Sequence, residues 1–162
     1  MICTILTDGT ELNGICRNEE EPPLVTVRSR LFTMVQTLVA QGYNEFWLNG
    51  EYGIPLWAAE FLLKLRIGNP ITVHIAVPYE EQSKNWTEDV RDRYFAVHEQ
   101  ADEVVMVGTQ FTVDCYETAH RYMLDRSDAL LICGAAGSQL EAAVYYPVSR
   151  NCVRSRTTEK LY

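Results

Sequence analysis

The sequence predicts an α/β protein built as a three-layer, Rossmann-like sandwich, with a mostly parallel sheet flanked by helices on both faces. Five short apolar runs typical of strands recur along the chain: ICTIL, EFWL, ITVHIAV, EVVMV and ALLIC. The stretches between them carry apolar residues at helical spacing, and this alternation is typical of parallel strands joined by crossover helices. The 162 residues fit one domain, which we take to span residues 1–162.

Prolines mark the starts of the first two helices. Pro22 and Pro23 precede an apolar stripe, so we expect the first helix to begin near Leu24. The preceding residues 8–23, which include an acidic run, are predicted to form a polar, solvated loop. Pro55 suits the first turn of a second helix because no backbone N–H is needed there, and the apolar stretch LWAAEFLLKL continues that helix.

The pattern predicts three further helices. The third begins after Asn85, and the fourth carries an apolar stripe that includes Ala119. Ser138 can cap a fifth helix, which would end at Pro147. The stretch CVRSR is then predicted to be a short closing strand.

The composition is that of an ordinary globular protein, with 47% hydrophobic and 22% charged residues. No apolar run approaches the roughly 20 residues that a membrane-spanning helix needs, so we expect no membrane partner. The formal net charge of −8 opposes nucleic-acid binding, because that affinity rests on many basic contacts to phosphates. The first residues lack the basic flank and apolar core of a secretion signal, so we expect a cytoplasmic location.

The cysteines and histidines predict neither a disulfide framework nor a metal site. The five cysteines are an odd number without CxxC spacing, so we expect them to be reduced. His74, His98 and His120 lack metal-ligand spacing such as HExxH, and we predict no metal and no cofactor. Cys133 is either a buried packing residue or a thiol with a lowered pKa at a helix start.

Three breaks that contain glycine follow predicted strands: Asp8 with Gly9, Gly50 to Gly53, and Gly134 to Ser138. In parallel α/β sheets, ligands bind beyond the carboxyl ends of the strands, where helix N-termini receive anions. Glycine permits positive φ and close approach of a phosphate to the main chain. The alternative is that each glycine only turns a strand into a helix. Neither a GxGxxG fingerprint nor a Walker loop is present in these breaks.

Three segments resemble, in order and in spacing, the YpsA-type family of small bacterial proteins: GEYGIPLWAAE, PYEEQSKNWTEDVRDRYFAVHEQADEV and HRYMLDRSDALLI. The resemblance covers roughly residues 45–133. That family belongs to the SLOG superfamily of Rossmann-like nucleotide-binding domains. The resemblance therefore implies a nucleotide or a nucleotide-derived ligand that lies across the glycine loops.

The resemblance also implies which residues form the site. Gly50 and Gly53 match one family loop, and Gly137 with Ser138 match another. In the loop after the third strand, Trp86 can stack on a flat ring, or it can simply pack a helix start. The expected ligand-binding residues are Thr7, Asp8, Gly9, Gly50, Glu51, Gly53, Pro78, Gln82, Trp86, Arg121, Gly134, Gly137 and Ser138.

The chain departs from the family pattern at three positions. Members tend to carry Thr-Gly and a basic residue after the first strand, whereas this chain has Asp8, an acidic group that repels phosphate. Pro55 replaces an acidic residue that can accept ribose hydroxyls. Ala119 replaces a basic residue, and Arg121 is the nearest remaining cation in that helix.

Two alternatives to a non-catalytic nucleotide-binding or sensing domain remain open. The stretch GAAGSQLE is similar to the Gly-Gly-x-Gly-Thr-x-x-Glu motif of LOG phosphoribohydrolases, which makes Glu141 a candidate catalytic residue for N-glycosidic cleavage of a nucleoside 5′-monophosphate. Otherwise Glu141 is an acidic residue in the first turn of a helix, favoured by the helix dipole. The second alternative is a diverged scaffold for protein association. The chain can also form a homo-oligomer, with the number of copies left open.

Overall fold

The computed structural model describes residues 1–12, 18–136 and 139–145. Strands and helices alternate along the chain as the sequence predicts as far as the fifth strand. The elements are β1 Ile2–Thr7, a 3₁₀ turn Thr10–Leu12, α1 Pro22–Ala40, β2 Glu45–Leu48, α2 Ile54–Leu65, β3 Thr72–Val77, α3 Glu88–Gln100, β4 Glu103–Met106, α4 Cys115–Leu124, β5 Ala129–Ala136 and β6 Gln139–Tyr145.

The strands of the described chain form one six-stranded sheet in the order β4-β3-β2-β1-β5-β6. Strands β1 to β5 are parallel, and β6 runs antiparallel to β5. The predicted α/β class with a mostly parallel, Rossmann-like sheet is confirmed. The chain moves outward from β1 to β4 and then returns to β5 on the other side of β1. In open α/β sheets, ligand crevices form beyond the carboxyl ends of the strands at such a change of direction.

Two apolar cores hold the sheet between its helices. Helices α1, α2 and α3 pack on one face, and α4 packs on the other, as right-handed crossovers with one change of direction require. Trp57 of α2 is fully buried in the larger core. On the other face, Met123 of α4 packs with Trp47 and Leu130. These cores bring the ends of β1, β2 and β3 to one edge of the sheet.

The predicted fifth helix is wrong, because the chain forms a strand at that point. Strand β5 continues through Gly134 to Ala136, and β6 pairs with it so that Gly134 lies opposite Glu141. Pairing along the edge of an existing sheet satisfies the backbone groups that a helix would have satisfied internally. The small residues of GAAG favour neither structure strongly, so the sheet decides the outcome. Gly134 is therefore not a strand break.

The position of Glu141 also overturns one interpretation of the motif around it. Glu141 lies on β6 and not in the first turn of a helix, so the helix-start match to the LOG motif is wrong. Gly137 and Ser138 lie outside the described residues, as do Pro147 and the predicted closing strand at 152–156.

The prediction of a solvated loop over residues 8–23 is wrong for two glutamates. Glu11 lies in the 3₁₀ turn and is only 1% exposed. Glu19 accepts a hydrogen bond from Arg93 Nη1 at 2.7 Å and another from the indole N–H of Trp57. The two glutamates that follow it are exposed, as expected. Both glutamates have partners far away in sequence, Ile54 for Glu11 and Arg93 for Glu19, so local composition could not reveal their burial.

The helices within the described ranges include none that is both long and apolar enough to cross a membrane. The 19-residue α1 carries Arg28 and Arg30, and the more apolar α2 has only 12 residues. This agrees with the lack of a long apolar run in the sequence.

Candidate functional site

The carboxyl edge of the sheet gathers most of the loops that the sequence singled out. Gly9 follows β1, and Gly50 and Gly53 lie between β2 and α2; their φ angles are 82°, 74° and 103°. Such positive φ values strongly favour glycine. Pro78 directly follows β3, the next strand along the edge. The expected ligand-binding loops of the first three strands are thus neighbours in space.

The N-terminus of α2 is occupied by a carboxylate of the protein itself. Glu11 Oε1 accepts a hydrogen bond from the backbone N–H of Ile54 at 3.3 Å, and Oε2 accepts one from the hydroxyl of Thr7. A Cβ atom on Gly53 would lie 2.6 Å from Glu11 Oε1, so glycine leaves the room that this carboxylate needs. Helix N-termini stabilise anions. Glu11 therefore takes the position at which the sequence predicted a ligand phosphate.

Two carboxyl groups near this helix start have raised pKa values. Burial raises the pKa of Glu11, against the opposing effect of its hydrogen bonds. Glu51, in the loop between β2 and α2, has its pKa raised to about 7, by burial first and by the charge of Glu11 second. Because two close carboxylates oppose each other's ionisation, this part of the edge retains a proton near neutral pH. A further negative charge there is repelled.

A buried amide fixes the loop after β2. Asn49 is 1% exposed; its Oδ1 accepts the N–H of Glu51 at 3.0 Å, and its Nδ2 lies 3.0 Å from Nε2 of His120. Burial lowers the pKa of His120 to about 4, so the ring is neutral at pH 7. An amide nitrogen only donates, so Nε2 accepts and the ring proton is assigned to Nδ1. This hydrogen bond ties the loop to α4.

Gln82, in the segment after β3, stabilises the same loop through hydrogen bonds. Its Nε2 donates to the carbonyl oxygen of Asn49 at 3.0 Å, and its Oε1 accepts from the hydroxyl of Tyr94 at 3.1 Å. A Cβ atom on Gly50 would lie 3.2 Å from Cε2 of the Tyr94 ring. Gln82 is 3% exposed, so its amide is used within the protein, where it holds Gly50 against Tyr94.

Trp86 stands beside this group of side chains. Its ring meets Tyr94 edge to face with centroids 5.3 Å apart, and its centroid lies 6.4 Å from that of Tyr52. The residue is partly buried. This geometry favours the packing interpretation of Trp86 over stacking on a ligand.

Other residues expected at the site are engaged in local interactions. Asp8 Oδ1 accepts a hydrogen bond from the N–H of Thr10 at 2.9 Å. Arg121 donates to Glu117 one turn away on α4. Cys133 is fully buried, and burial raises the pKa of its thiol, which favours the packing interpretation of this cysteine.

An open cavity lies farther along the same edge, between the ends of β3 and β4 and the start of α4. It has a volume of about 290 Å³. Gly108, just after β4, lies very close to the residue that follows β3. A Cβ atom on Gly108 would lie 2.4 Å from the carbonyl oxygen of Pro78. Small and hydroxyl-bearing residues dominate the lining, which consists of Pro78, Val107, Gly108, Thr109, Gln110, Thr112, Cys115 and Thr118.

Three aromatic residues are adjacent in sequence to residues that line this cavity. Phe111 is 65% exposed and meets Tyr79 edge to face, with centroids 5.3 Å apart, and Tyr79 lies 6.3 Å from Tyr116. Burial raises the pKa of both tyrosines, and the charge of Glu51 raises them further. Cys115, which lines the cavity, acts on Tyr79 in the same direction. Gln82 Nε2, which donates to the carbonyl oxygen of Asn49, also lies 3.4 Å from the hydroxyl of Tyr116, so the loop that carries Glu51 lies beside this aromatic group.

Sequence reasoning missed three important residues of this edge. Asn49 had a usable signal, because it is a polar residue between a buried strand and a glycine. Phe111 had a weaker signal, since it is an apolar residue in a polar stretch between β4 and α4. Glu11 had no local signal, because its burial depends on α2.

The fold and this edge define the chain as a Rossmann-like α/β domain whose carboxyl edge has one filled and one open part. The family model of YpsA, described as the YspA SLOG family, matches residues 9–147. The chain belongs to this family, as the resemblance in the sequence indicated.

Curated relatives in bacilli share this sequence pattern. The chain is 28% identical over 121 residues to a UPF0398 protein of Bacillus cereus strain B4264. It is 26% identical over 121 residues to a UPF0398 protein of Bacillus thuringiensis strain Al Hakam. In both comparisons the similarity covers 73% of this chain and 65% of the relative, so the chain spans less than two thirds of the relatives' length.

Proposed function

We propose that the chain binds a nucleotide-derived small molecule at the open part of its carboxyl edge. The observation that carries this proposal is the cavity of about 290 Å³ next to the exposed ring of Phe111, in a domain of the SLOG family. Small-molecule sites commonly have volumes from about 300 Å³ upward. The cavity therefore suits one nucleoside or nucleotide unit.

The lining offers the contacts that such a unit needs. The base stacks on Phe111, because an exposed aromatic ring binds a flat ring at little conformational cost. The hydroxyl of Thr109 and the amide of Gln110 can donate hydrogen bonds to ribose and phosphate oxygens. The hydroxyls of Thr112 and Thr118 donate to Asp114, so their oxygens can accept from ribose hydroxyls. Glu51 accepts a ribose hydroxyl, the role that acidic residues have at the edges of dinucleotide-binding sheets.

Charge fixes the direction in which the ligand lies. Glu11 fills the start of α2, and a phosphate there would meet Glu51 as well in a poorly solvated place. The start of α4 lines the open cavity, and its backbone N–H groups favour an anion. The acidic groups there are weaker obstacles than those at α2, because Asp114 is exposed to screening solvent and Glu117 is paired with Arg121. The ribose therefore lies toward Glu51 and the phosphate toward α4.

Calorimetric titration of the purified protein against nucleosides, nucleoside monophosphates and ADP-ribose tests this proposal. We expect saturable binding of at least one compound and a loss of about tenfold in affinity with Phe111→Ala, since base stacking on an aromatic ring contributes about 1–3 kcal/mol. Phe95→Ala, on α3, is the matched control because it removes the same atoms from a ring that is 52% exposed. Absence of any binder, or equal effects of both variants, would refute the proposal.

A second candidate function, a scaffold for protein association, is supported by the same loop. Val113 is fully exposed two residues after Phe111, and the start of α2 is already filled by Glu11. A scaffold that associates through this loop would lose its partner, or its own oligomeric state, in Val113→Asp. Light scattering on the wild type and the variant separates the two candidates, because nucleotide binding alone leaves the mass unchanged.

We also propose a cytoplasmic location. Three cysteines lie in the part of the chain that the structure describes: Cys3, Cys115 and Cys133. All three are unpaired and buried. Unpaired cysteines are typical of proteins in a reducing compartment. Thiol titration of the protein under denaturing conditions, directly after lysis into a blocking reagent, should find these cysteines reduced.

A further inference from the structure

A second cavity lies outside the carboxyl edge, between α1, α2 and α3. Its volume is about 460 Å³. The lining contains apolar residues, Leu63, Ile67 and Val97, three cations, Arg28, Lys64 and Arg93, and one carboxylate, Glu60. Most of these residues lie in the C-terminal halves of α2 and α3, so the cavity is directed toward the opposite edge of the sheet from the candidate nucleotide site.

The three cations of this cavity are not equivalent. Arg93 is fully engaged, because Nη1 contacts Glu19 at 2.7 Å and Nε contacts Glu60 at 2.7 Å. Arg28 and Lys64 form no ion pair with a carboxylate in the part of the chain that the structure describes. These two positive charges are therefore available to an added anion.

Arg28 carries the clearest sign of a missing acceptor. Its Nε is buried and has no hydrogen-bond partner among the described residues. The guanidinium carbon lies 5.8 Å from the ring centroids of Trp57 and Phe61, and Lys64 Nζ lies 5.9 Å from the centroid of Phe61. The aromatic faces stabilise the charges but accept no strong hydrogen bond. A buried donor without an acceptor is costly. Because Nε itself is buried, an anion in the cavity would reach Arg28 through its terminal Nη groups.

We infer that this cavity binds an organic anion that has one carboxylate or phosphate group on an apolar body. The anionic group accepts hydrogen bonds from Arg28 and Lys64, and the apolar body lies on Leu63, Ile67 and Val97. An anion pairs with both positive charges, whereas the carboxylate of the lining, Glu60, is already engaged by Arg93 and attracts a cation only weakly. The site is selective within a chain of net charge −8, because most of the remaining surface repels anions.

Titration of methyl-labelled protein with three probes of equal chain length tests this inference by NMR. Decanoate and decyl phosphate distinguish the two anionic groups, and decyltrimethylammonium reverses the charge. We expect saturable shifts of the Leu63, Ile67 and Val97 methyl groups with at least one anion and none that saturates with the cation. Equal binding of the cation, or no saturable shift with either anion, would overturn the inference.

Substitutions then show separately how the charge of the cavity and its shape affect ligand affinity. Arg28→Gln should weaken binding at least tenfold, and Arg30→Gln, which removes an exposed charge two residues along α1, should leave it unchanged. Ala96→Phe keeps every charge and adds a ring at an exposed helical position in the lining, so it should block binding without unfolding the chain. Equal affinities of Arg28→Gln and Arg30→Gln, or full affinity of Ala96→Phe, would contradict the inference.

Discussion

The two parts of the carboxyl edge differ although one sheet builds both. In the part formed by β1 and β2, Gly53 makes room for Glu11, and Gly50 makes room for the ring of Tyr94. In the part formed by β3 and β4, a cavity of about 290 Å³ is open. A glycine at a strand end thus indicates that another group lies close to the backbone. That group can be a side chain of the protein itself and need not be a ligand.

The two parts also differ in charge. The filled part contains Glu11 and Glu51, two buried carboxyl groups whose pKa values are raised. The open part is lined mainly by threonine hydroxyls and small residues. An anionic ligand is therefore expected at the open part alone. The four predictions that follow test this contrast, beginning with the largest effect.

Gly53→Ala should destabilise the protein by about 2–4 kcal/mol, because it combines a positive φ with a contact to Glu11 Oε1 at 2.6 Å. Gly9→Ala is the control: its φ is similar, but a Cβ there meets nothing within 4 Å, so a cost of only about 1 kcal/mol is expected. Guanidinium denaturation measures both. Equal costs would mean that Glu11 does not fill the space beside Gly53.

Asn49→Ala should cost about 2–3 kcal/mol, because it leaves the N–H of Glu51 and Nε2 of His120 without their buried partner. The control Asn69→Ala removes one exposed hydrogen bond to the carbonyl oxygen of Leu65 and should cost less than about 1 kcal/mol. Denaturant unfolding measures both changes in the free energy of unfolding, provided that the m-value stays constant. A small effect at Asn49 would show that the loop after β2 is held by other contacts.

Glu51→Gln should remove a pH dependence of stability of about 2–3 kcal/mol between pH 5 and pH 8. The pKa of Glu51 is about 7 in the folded protein against 4.5 without burial, so the folded state binds the extra proton. The stabilising effect of this proton is complete below about pH 4.5 and is lost as the pH rises through 7. The variant should therefore be more stable than the wild type at pH 8 and equal to it at pH 5.

Glu20→Gln is the control for this pH series, because Glu20 is exposed and its change should alter stability by only a few tenths of a kcal/mol at either pH. Thermal unfolding from pH 5 to pH 8 provides the measurement. A Glu51→Gln variant that follows the wild type at every pH would show that this carboxyl group is not buried beside Glu11.

Phe111→Ala should have the smallest effect on stability, less than about 0.5 kcal/mol, because the ring is 65% exposed. The same change should reduce ligand affinity strongly. This separation of stability from binding sharpens the contrast between the two parts of the edge. A loss of several kcal/mol in thermal unfolding would instead assign Phe111 to packing.

The sequence revealed most of the fold, since strand runs and helical stripes are local patterns. Pro55 marked the second helix correctly, and the apolar surroundings of Trp57 indicated its burial. The prediction of a fifth helix was wrong, because β5 continues through Gly134 and the residues from Gln139 onward pair with the free edge of β5 as a strand. This pairing depends on the tertiary structure and cannot be seen in the local sequence.

The candidate site was only partly predictable. The loops at Gly50, Gly53 and Pro78 were assigned to one edge because parallel strands end together. Whether a loop is filled depends on side chains that arrive from distant elements. Glu11 reaches α2 from the segment after β1, and Gln82 reaches Asn49 from the segment after β3. No spacing within a single loop carries that information.

The most direct test of the contrast is a titration of ¹⁵N-labelled protein with adenosine 5′-monophosphate and with ADP-ribose, followed by amide chemical shifts. We expect the largest saturable shifts in residues 108–118, around the open cavity, and only small shifts at Gly50 and Gly53 on either side of Glu51. Shifts centred on Gly50 and Gly53 would show that the ligand displaces Glu11. That result, or the absence of any saturable shift, would contradict the assignment of the open part as the ligand site.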